Sequence, residues 1–227
     1  MKLPDFRYEK ESWKKGFTDV AGIDEVGRGC FAGPVVAGCV ILSTLGLPAA
    51  SHPAIIINDS KKLTPKQRQK ADKWIRENAL AFGIGQASVA QINKVGIKKA
   101  SEIAFRKAIK NCGSVDYLLI DAFYIPYVKG LRRTNQKAIV KGDTKSLSIA
   151  SASIIAKVYR DKLMTKLSKD PKYRKYRWAK NKGYGTKEHR SAIKKYGISG
   201  QHRTAFVGTW LQNLEARNPK SQTNPKA

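Results

Sequence analysis

Two short apolar stretches with a polar interruption between them dominate the first forty positions. Phe17-Thr18-Asp19-Val20-Ala21-Gly22-Ile23 alternates and reads as a strand, whereas Val35-Val36-Ala37-Gly38-Cys39-Val40-Ile41-Leu42 is a near-continuous apolar run, as in a strand buried on both faces. A hairpin through Gly33-Pro34 would pair the two. Ile55-Ile56-Ile57 is a third, shorter candidate strand. Thr64 ahead of Pro65 has the form of an N-cap followed by proline at the first helical position, which predicts a helix to about Ala81. Gly83 to Val89 alternates again, a helix is expected from about Ile97 to Asn111, and Tyr117-Leu118-Leu119-Ile120-Asp121 reads as a strand. From Leu147 the spacing becomes helical: Leu147, Ala150, Ile154 and Val158 share one stripe, joined by Ile155, and the small residues Ser148, Ala150, Ser151, Ala152 and Ser153 allow close packing. After Asp161 the chain stays helical and turns basic. Strands first, then helices alternating with strands, predict an α/β fold with a mixed sheet flanked by helices on both faces and a basic helical C-terminal appendage.

At 227 residues the chain can fill one good core and is short for two. The expected organisation is an N-terminal extension over 1–16, a catalytic core over 17–165, a basic helical region of the same domain over 166–217, and a tail over 218–227 with the composition of a disordered end. Lys and Arg number 44 against 17 Asp and Glu, a formal charge of +27 that would be costly in self-repulsion unless it served a polyanionic partner. The cations are dense between Lys162 and Arg190, where Tyr173, Tyr176, Trp178 and Tyr184 are interleaved; such rings either stack on sugars and bases or pack in the core. Cys30, Cys39 and Cys112 form no CxxC pair and suit a reducing cytoplasm. A cysteine nucleophile would need one of only three histidines, His52, His189 and His202, beside it. No apolar run approaches the roughly 18 residues of a membrane span, and no signal segment opens the chain.

Candidate chemistry is concentrated where the first strand ends. Asp24 and Glu25 are adjacent acids there, expected on opposite faces, and Gly27-Arg28-Gly29 follows at once, a turn whose amides could approach a polyanion or a sugar. Hydrolysis of a phosphodiester needs an activated water, charge neutralisation and a stabilised leaving oxygen. Two divalent ions about 3.5–4 Å apart supply all three and require oxygen ligands gathered from separate parts of the chain. Asp24, Glu25, Asp121 and Asp143 are the candidates: Asp24 and Asp121 each end an apolar strand, and Asp143 follows the Lys141-Gly142 turn. Each acid has a plainer alternative. Asp143 could cap the following helix, and Glu25 could pair with Arg28; Asp161 reads as an ion-pair partner on its helix, and Asp59 and Asp116 as turn or surface residues.

The segment Gly22 to Pro34 resembles the signature of type 2 ribonuclease H, specifically ribonuclease HII, and further blocks follow in order. These are Asp59-Ser60-Lys61-Lys62-Leu63, Leu118 to Asp121, Val140 to Ser146, Ile149 to Asp161, Gly183-Tyr184-Gly185-Thr186 and His189-Arg190. Together they span about Phe17 to Phe206, far more specific than one glycine pattern. The resemblance implies the ribonuclease H fold. It also implies a metal site of Asp24, Glu25, Asp121 and Asp143 holding two Mg2+ or Mn2+ ions, and recognition of the ribonucleotide by Gly27-Arg28-Gly29 together with Tyr184. Lys61, Lys62, Lys145 and Arg190 are candidate phosphate contacts, with ordinary solvated surface charge as the alternative. The implied activity is cleavage of the RNA strand of RNA–DNA hybrids and at ribonucleotides embedded in duplex DNA, leaving 3′-hydroxyl and 5′-phosphate ends, by a cytoplasmic monomer. Arg28 and Asp143 favour the HII type over the related type 3 enzymes. One departure stands out: many bacterial members carry Gly-Asn after the third acid, whereas this chain has Ala122-Phe123-Tyr124-Ile125-Pro126. The competing readings are a non-catalytic RNA-binding protein, which the charge alone would explain, and a nuclease of the same fold acting on DNA only.

Overall fold

The computed structural model describes residues 3–43 and 55–217. Its centre is a sheet of β1 (Val20–Val26), β2 (Val35–Ile41), β3 (Ala81–Ala87), β4 (Tyr117–Asp121) and β5 (Gln136–Ile139), ordered β3-β2-β1-β4-β5. The expected pairing of the first two strands is present, antiparallel, with Asp24 opposite Gly38. β3 extends β2 antiparallel, while β4 lies parallel to β1 and β5 parallel to β4. Ile55 to Ile57 form no strand. Both edges of β2 are already taken, and Ile57 instead buries itself in an apolar cluster with Leu63 and Ile75 while Ile56 stays exposed.

Alternation along the strands sends side chains to two helical layers. Ala21 and Ile23 of β1, Val35, Ala37 and Cys39 of β2, and Leu118 and Ile120 of β4 pack with α3 (Val89–Cys112). The opposite face meets α4 (Leu147–Leu167) and α2 (Pro65–Asn78), where Val40, Ile75, Leu147, Ala150, Ile154, Ile155 and Val158 form one cluster that includes the stripe expected from the sequence. Contact with α4 is close enough that a Cβ on Gly38 would lie 2.3 Å from the Ala152 carbonyl oxygen. Thr64 caps α2 in a reciprocal box with Gln67. That helix stops at Asn78, earlier than expected, because Ala79 is extended and Leu80 N–H bonds the Ile41 carbonyl, drawing the chain into β3. A second capping box, Ser88 with Gln91, starts α3 eight residues before the expected Ile97; the interruption at Gly96, with φ of 77°, hid its first part from the periodicity.

At the N-terminal side, α1 (Arg7–Trp13) docks through a fully buried acid: Glu9 Oε1 accepts from Ser146 Oγ, Ser148 N and Ser148 Oγ. Beyond α4 lie α5 (Pro171–Arg174), α6 (Trp178–Asn181), α7 (Lys187–Tyr196) and α8 (Thr204–Arg217). Tyr176 and Trp178 stack at 5.3 Å and pack on Ala32 and Met164, so these two rings serve the core. The sequence-based tail, 218–227, lies outside the described residues. Among the described residues, no helix is long and apolar enough to cross a membrane.

Candidate active site

Because β1 and β4 are parallel with Ile23 level with Ile120, the next residues, Asp24 and Asp121, emerge side by side toward α4. Asp143 joins them from the turn Gly142–Thr144 that follows β5; Lys141 turns left-handed at φ 56°, and Gly142 N–H donates to Asp121 Oδ1 at 2.7 Å. Each of the three aspartates offers a carboxylate oxygen within 4.8 Å of the others. Among the described residues none of the three makes an ion pair. Asp24 is held by Glu25 N–H at 2.7 Å and by the Ser153 hydroxyl, which bonds Ser60 at 3.0 Å. Burial pushes the Asp24 carboxyl well up, and the charges of Glu25 and Asp121 push it the same way. Asp143 is raised by burial and then by Asp121 and Asp59, with Lys61 and Lys62 partly compensating. Crowded, partly desolvated carboxylates with no direct ion pair are the donor set a hard divalent cation takes. The site therefore fits one.

Glu25 lies on the other face, as alternation requires, and pairs with Arg28 at 3.1 Å; its carboxyl is nevertheless raised, burial outweighing that arginine. The three aspartates thus assemble through the fold, and Glu25 borders them from around the strand end. The alternative of Asp143 as helix cap is not what forms, since Ser146 caps α4. Asp161 makes the anticipated ion pair, with Lys157 at 2.7 Å, and Asp59 accepts the Lys61 amide in a turn.

Gly27 has φ of 90°, and a Cβ there would meet Arg160 Nε at 2.2 Å; a Cβ on Gly29 would meet nothing within 4 Å. The turn is thus pinned behind Gly27 and open above Gly29. Tyr184 stands beside it, 37% exposed, with its phenol against Cys30 and its pKa pushed up to about 12, mainly by burial.

The sequence model of the family described as Ribonuclease HII matches residues 21–209, which contain every one of these groups. This chain belongs to the ribonuclease HII family. It is accordingly a metal-dependent endoribonuclease. The Ribonuclease HII of Synechococcus sp. (strain JA-3-3Ab) is 45% identical over 215 residues, covering 94% of this chain and 91% of that one. That of Wolbachia pipientis subsp. Culex pipiens (strain wPip) is 46% identical over 210 residues, covering 91% and 98%. In fold, the chain resembles the crystal structure of ribonuclease H2 from Pyrococcus horikoshii OT3, with a TM-score of 0.65, 22% identity and coverage of 89% and 99%. It also resembles Bst-RNase HIII in complex with Mn2+, at 0.68, 18%, 88% and 70%.

Among the candidate phosphate contacts, Lys62 and Lys145 share a depression of about 450 Å³ with Arg7 and Lys141, and Lys61 lies close enough to act on Asp143. Arg190 is placed differently: its guanidinium lies over Phe31 and Trp210, at 5.8 and 5.6 Å. A larger basic groove, about 1090 Å³, runs from Tyr184 between α2, α4 and α6 past Arg68, Lys157, Lys162, Lys166 and Lys180.

Several site residues had no sequence reading. Arg160 and Arg203 are both fully buried. Arg160 donates to the carbonyls of Pro34, Ala32 and Lys182 at 2.8–3.0 Å, and Arg203 to those of Gly33 and Arg28 at 2.7–3.0 Å. Such charge-assisted bonds replace water around each guanidinium and lock the loop 27–34 onto the C-terminal helices. For Arg160 a signal existed, because it shares a helical stripe with Ala156 and Met164. His189 and His202 close the same region. His189 Nδ1 meets the Tyr184 carbonyl at 2.8 Å, its Nε2 meets His202 Nε2 at 3.1 Å, and Trp178 Nε1 also points to it. Burial keeps both imidazoles neutral, His202 at about 4, so they act as spacers under Tyr184.

Proposed function

We propose that this enzyme cuts the RNA strand of RNA–DNA hybrids and the phosphodiester beside single ribonucleotides in duplex DNA, leaving 3′-hydroxyl and 5′-phosphate ends. The observation that carries the reading is the convergence of Asp24, Asp121 and Asp143 from β1, β4 and the Gly142 turn, next to a glycine turn and a half-exposed tyrosine. Asp24, Asp121, Asp143 and, from around the strand end, Glu25 are the residues to hold two divalent cations, Mg2+ or Mn2+; Mn2+ is the ion in the Bst-RNase HIII complex. What such ions supply is Lewis acidity toward a water and a phosphoryl oxygen.

The chain's own residues do the rest. Ser153 and the Glu25 amide hold the Asp24 carboxylate, and the Gly142 amide holds that of Asp121, so neither needs to reorganise on binding. The open side of Gly29 lets backbone groups of the turn reach a 2′-hydroxyl, which is what separates RNA from DNA. Tyr184, set at a fixed distance by His189, packs on the deoxyribose that follows. Lys61, Lys62 and Lys145 take phosphates beside Asp143, while Arg190, stacked on two rings, reaches one only with its free edge. A monomer in the cytoplasm suffices, since one chain carries every group.

The deciding experiment is cleavage in Mg2+ of a duplex containing one ribonucleotide, beside an all-DNA control. Cutting of the first alone is expected. Binding without cutting would favour the non-catalytic RNA-binding alternative, and cutting of both would favour the DNA nuclease.

A further inference from the structure

The chain leaves Asp121 by an unusual route. Ala122 has φ of 67°, and Phe123 N–H donates to the Asp121 carbonyl at 2.9 Å. A hydrogen bond from i+2 back to i around a positive central φ makes a γ-turn of the strained hand, seldom adopted by a residue with a Cβ. Strain of this kind persists only where the surroundings impose it. Here they do: Gln136 accepts from Ile125 N–H and donates to the Ile125 carbonyl at 3.1 and 3.2 Å, Arg106 Nε donates to the Tyr127 carbonyl at 2.6 Å, and Ile125 is fully buried.

The turn directs the ring of Phe123 back to the face of the sheet that carries Glu25. It meets Phe105 edge-on at 5.8 Å and 67°, and the Arg28 guanidinium lies 5.1 Å from its centroid. Phe105 is fully buried in the core against α3, so this ring has a rigid support. The Arg28 side chain, 40% exposed, is otherwise tethered by one bond to Glu25, while its carbonyl accepts from Arg203. A single half-exposed ion pair constrains an arginine weakly; a ring face beneath the guanidinium fixes its plane as well.

We propose that Phe123 is a positioning residue: through Arg28 it holds the Gly27-Arg28-Gly29 turn in the orientation that reads the ribonucleotide. This rests on the proposed function and goes beyond it, since the loop after the third acid then tunes selectivity without touching substrate. It also gives a role to the very segment in which the sequence departs from the bacterial pattern.

The test combines kinetics with a readout that needs no turnover. On a duplex with one ribonucleotide, Phe123→Leu, which keeps an apolar contact to Phe105 but removes the π face, should lower the single-turnover rate about three- to tenfold with KM kept. Phe123→Tyr should restore it, and Phe123→Leu should add nothing in an Arg28→Ala background. In 15N-labelled protein without metal, the Arg28 Nε–H resonance should lose its ring-current shift in Phe123→Leu and keep it in Phe123→Tyr. A wild-type rate in Phe123→Leu, an equal loss with and without Arg28, or an unmoved resonance would overturn the proposal. Should the leucine variant not fold, Phe123→Met takes its place in both measurements. A wild-type enzyme that leaves the ribonucleotide-bearing duplex intact counts against the proposed function instead, and the resonance still decides whether ring and guanidinium are coupled.

Discussion

Asp24 gains least from being ionised in the absence of a cation. It is buried, feels the charges of Asp121 and of Glu25 next to it, and keeps its proton to a higher pH than an unfolded chain would, as does Asp143. A carboxyl whose folded pKa lies above its unfolded value near 4 contributes stability that is full below that value and lost as pH rises through the folded pKa. Without metal, this cluster therefore weakens the fold from mildly acidic to neutral pH, and a bound divalent cation removes the penalty. The expected outcome in thermal unfolding is that Mg2+ raises the Tm more at pH 8 than at pH 5. Asp143→Asn should raise the Tm in EDTA at pH 8, shrink the Mg2+ effect, and reduce turnover by orders of magnitude. A folded Asp143→Asn enzyme with near-normal turnover would remove that residue from the site. Position at the end of an apolar run or after a glycine turn made the aspartates candidates, and only the family resemblance set them above plainer roles such as a helix cap at Asp143. Arg160, Arg203 and Phe123 could not be assigned roles, since their partners are backbone carbonyls and a guanidinium 22 to 175 residues away or across the sheet, contacts that exist only after folding.

Elements were legible in proportion to how much of their environment was local. The strand from Tyr117 to Asp121 and the helix from Leu147 carry their own periodicity. β5, Gln136–Ile139, does not: it is four residues with two polar ones, and it is a strand because β4 offers it a free edge. Ile55 to Ile57 have the composition of a strand, but both edges of β2 are taken and Ile57 is buried among Leu63 and Ile75 instead. The same dependence on neighbours separates two glycines that look alike in sequence. Gly38→Ala drives a Cβ into the backbone of α4 and should cost roughly 1–3 kcal/mol, seen as a lower urea midpoint with unchanged slope. Gly29→Ala meets nothing, so its midpoint should stay at the wild-type value while cleavage at a lone ribonucleotide drops. Equal destabilisation by both substitutions would mean that the space above Gly29 is not open in solution.

For the whole molecule, charge is the controlling quantity. One basic depression includes Lys141, Thr144 and Lys145 from the segment that carries Asp143, and a second basic groove starts at Tyr184, two cationic surfaces on which a duplex could rest. If about 6–10 phosphates are neutralised, hybrid affinity should fall roughly 10³–10⁵-fold between 50 and 200 mM salt through counterion release. Binding measured in Ca2+, or with Asp143→Asn, would check this without turnover; a flat dependence would show that the charge of +27 serves another purpose. The two buried arginines have one more consequence, for how the enzyme comes into being. The Arg28 carbonyl receives Arg203 across 175 residues, and the acids come from positions 24, 121 and 143. During synthesis, then, the turn after β1 leaves the ribosome early, but it is not fixed in place until residue 203 has emerged and docked. A chain stalled before residue 203 would carry every residue of that turn yet lack the buried guanidinium that donates to the carbonyls of Arg28 and Gly33.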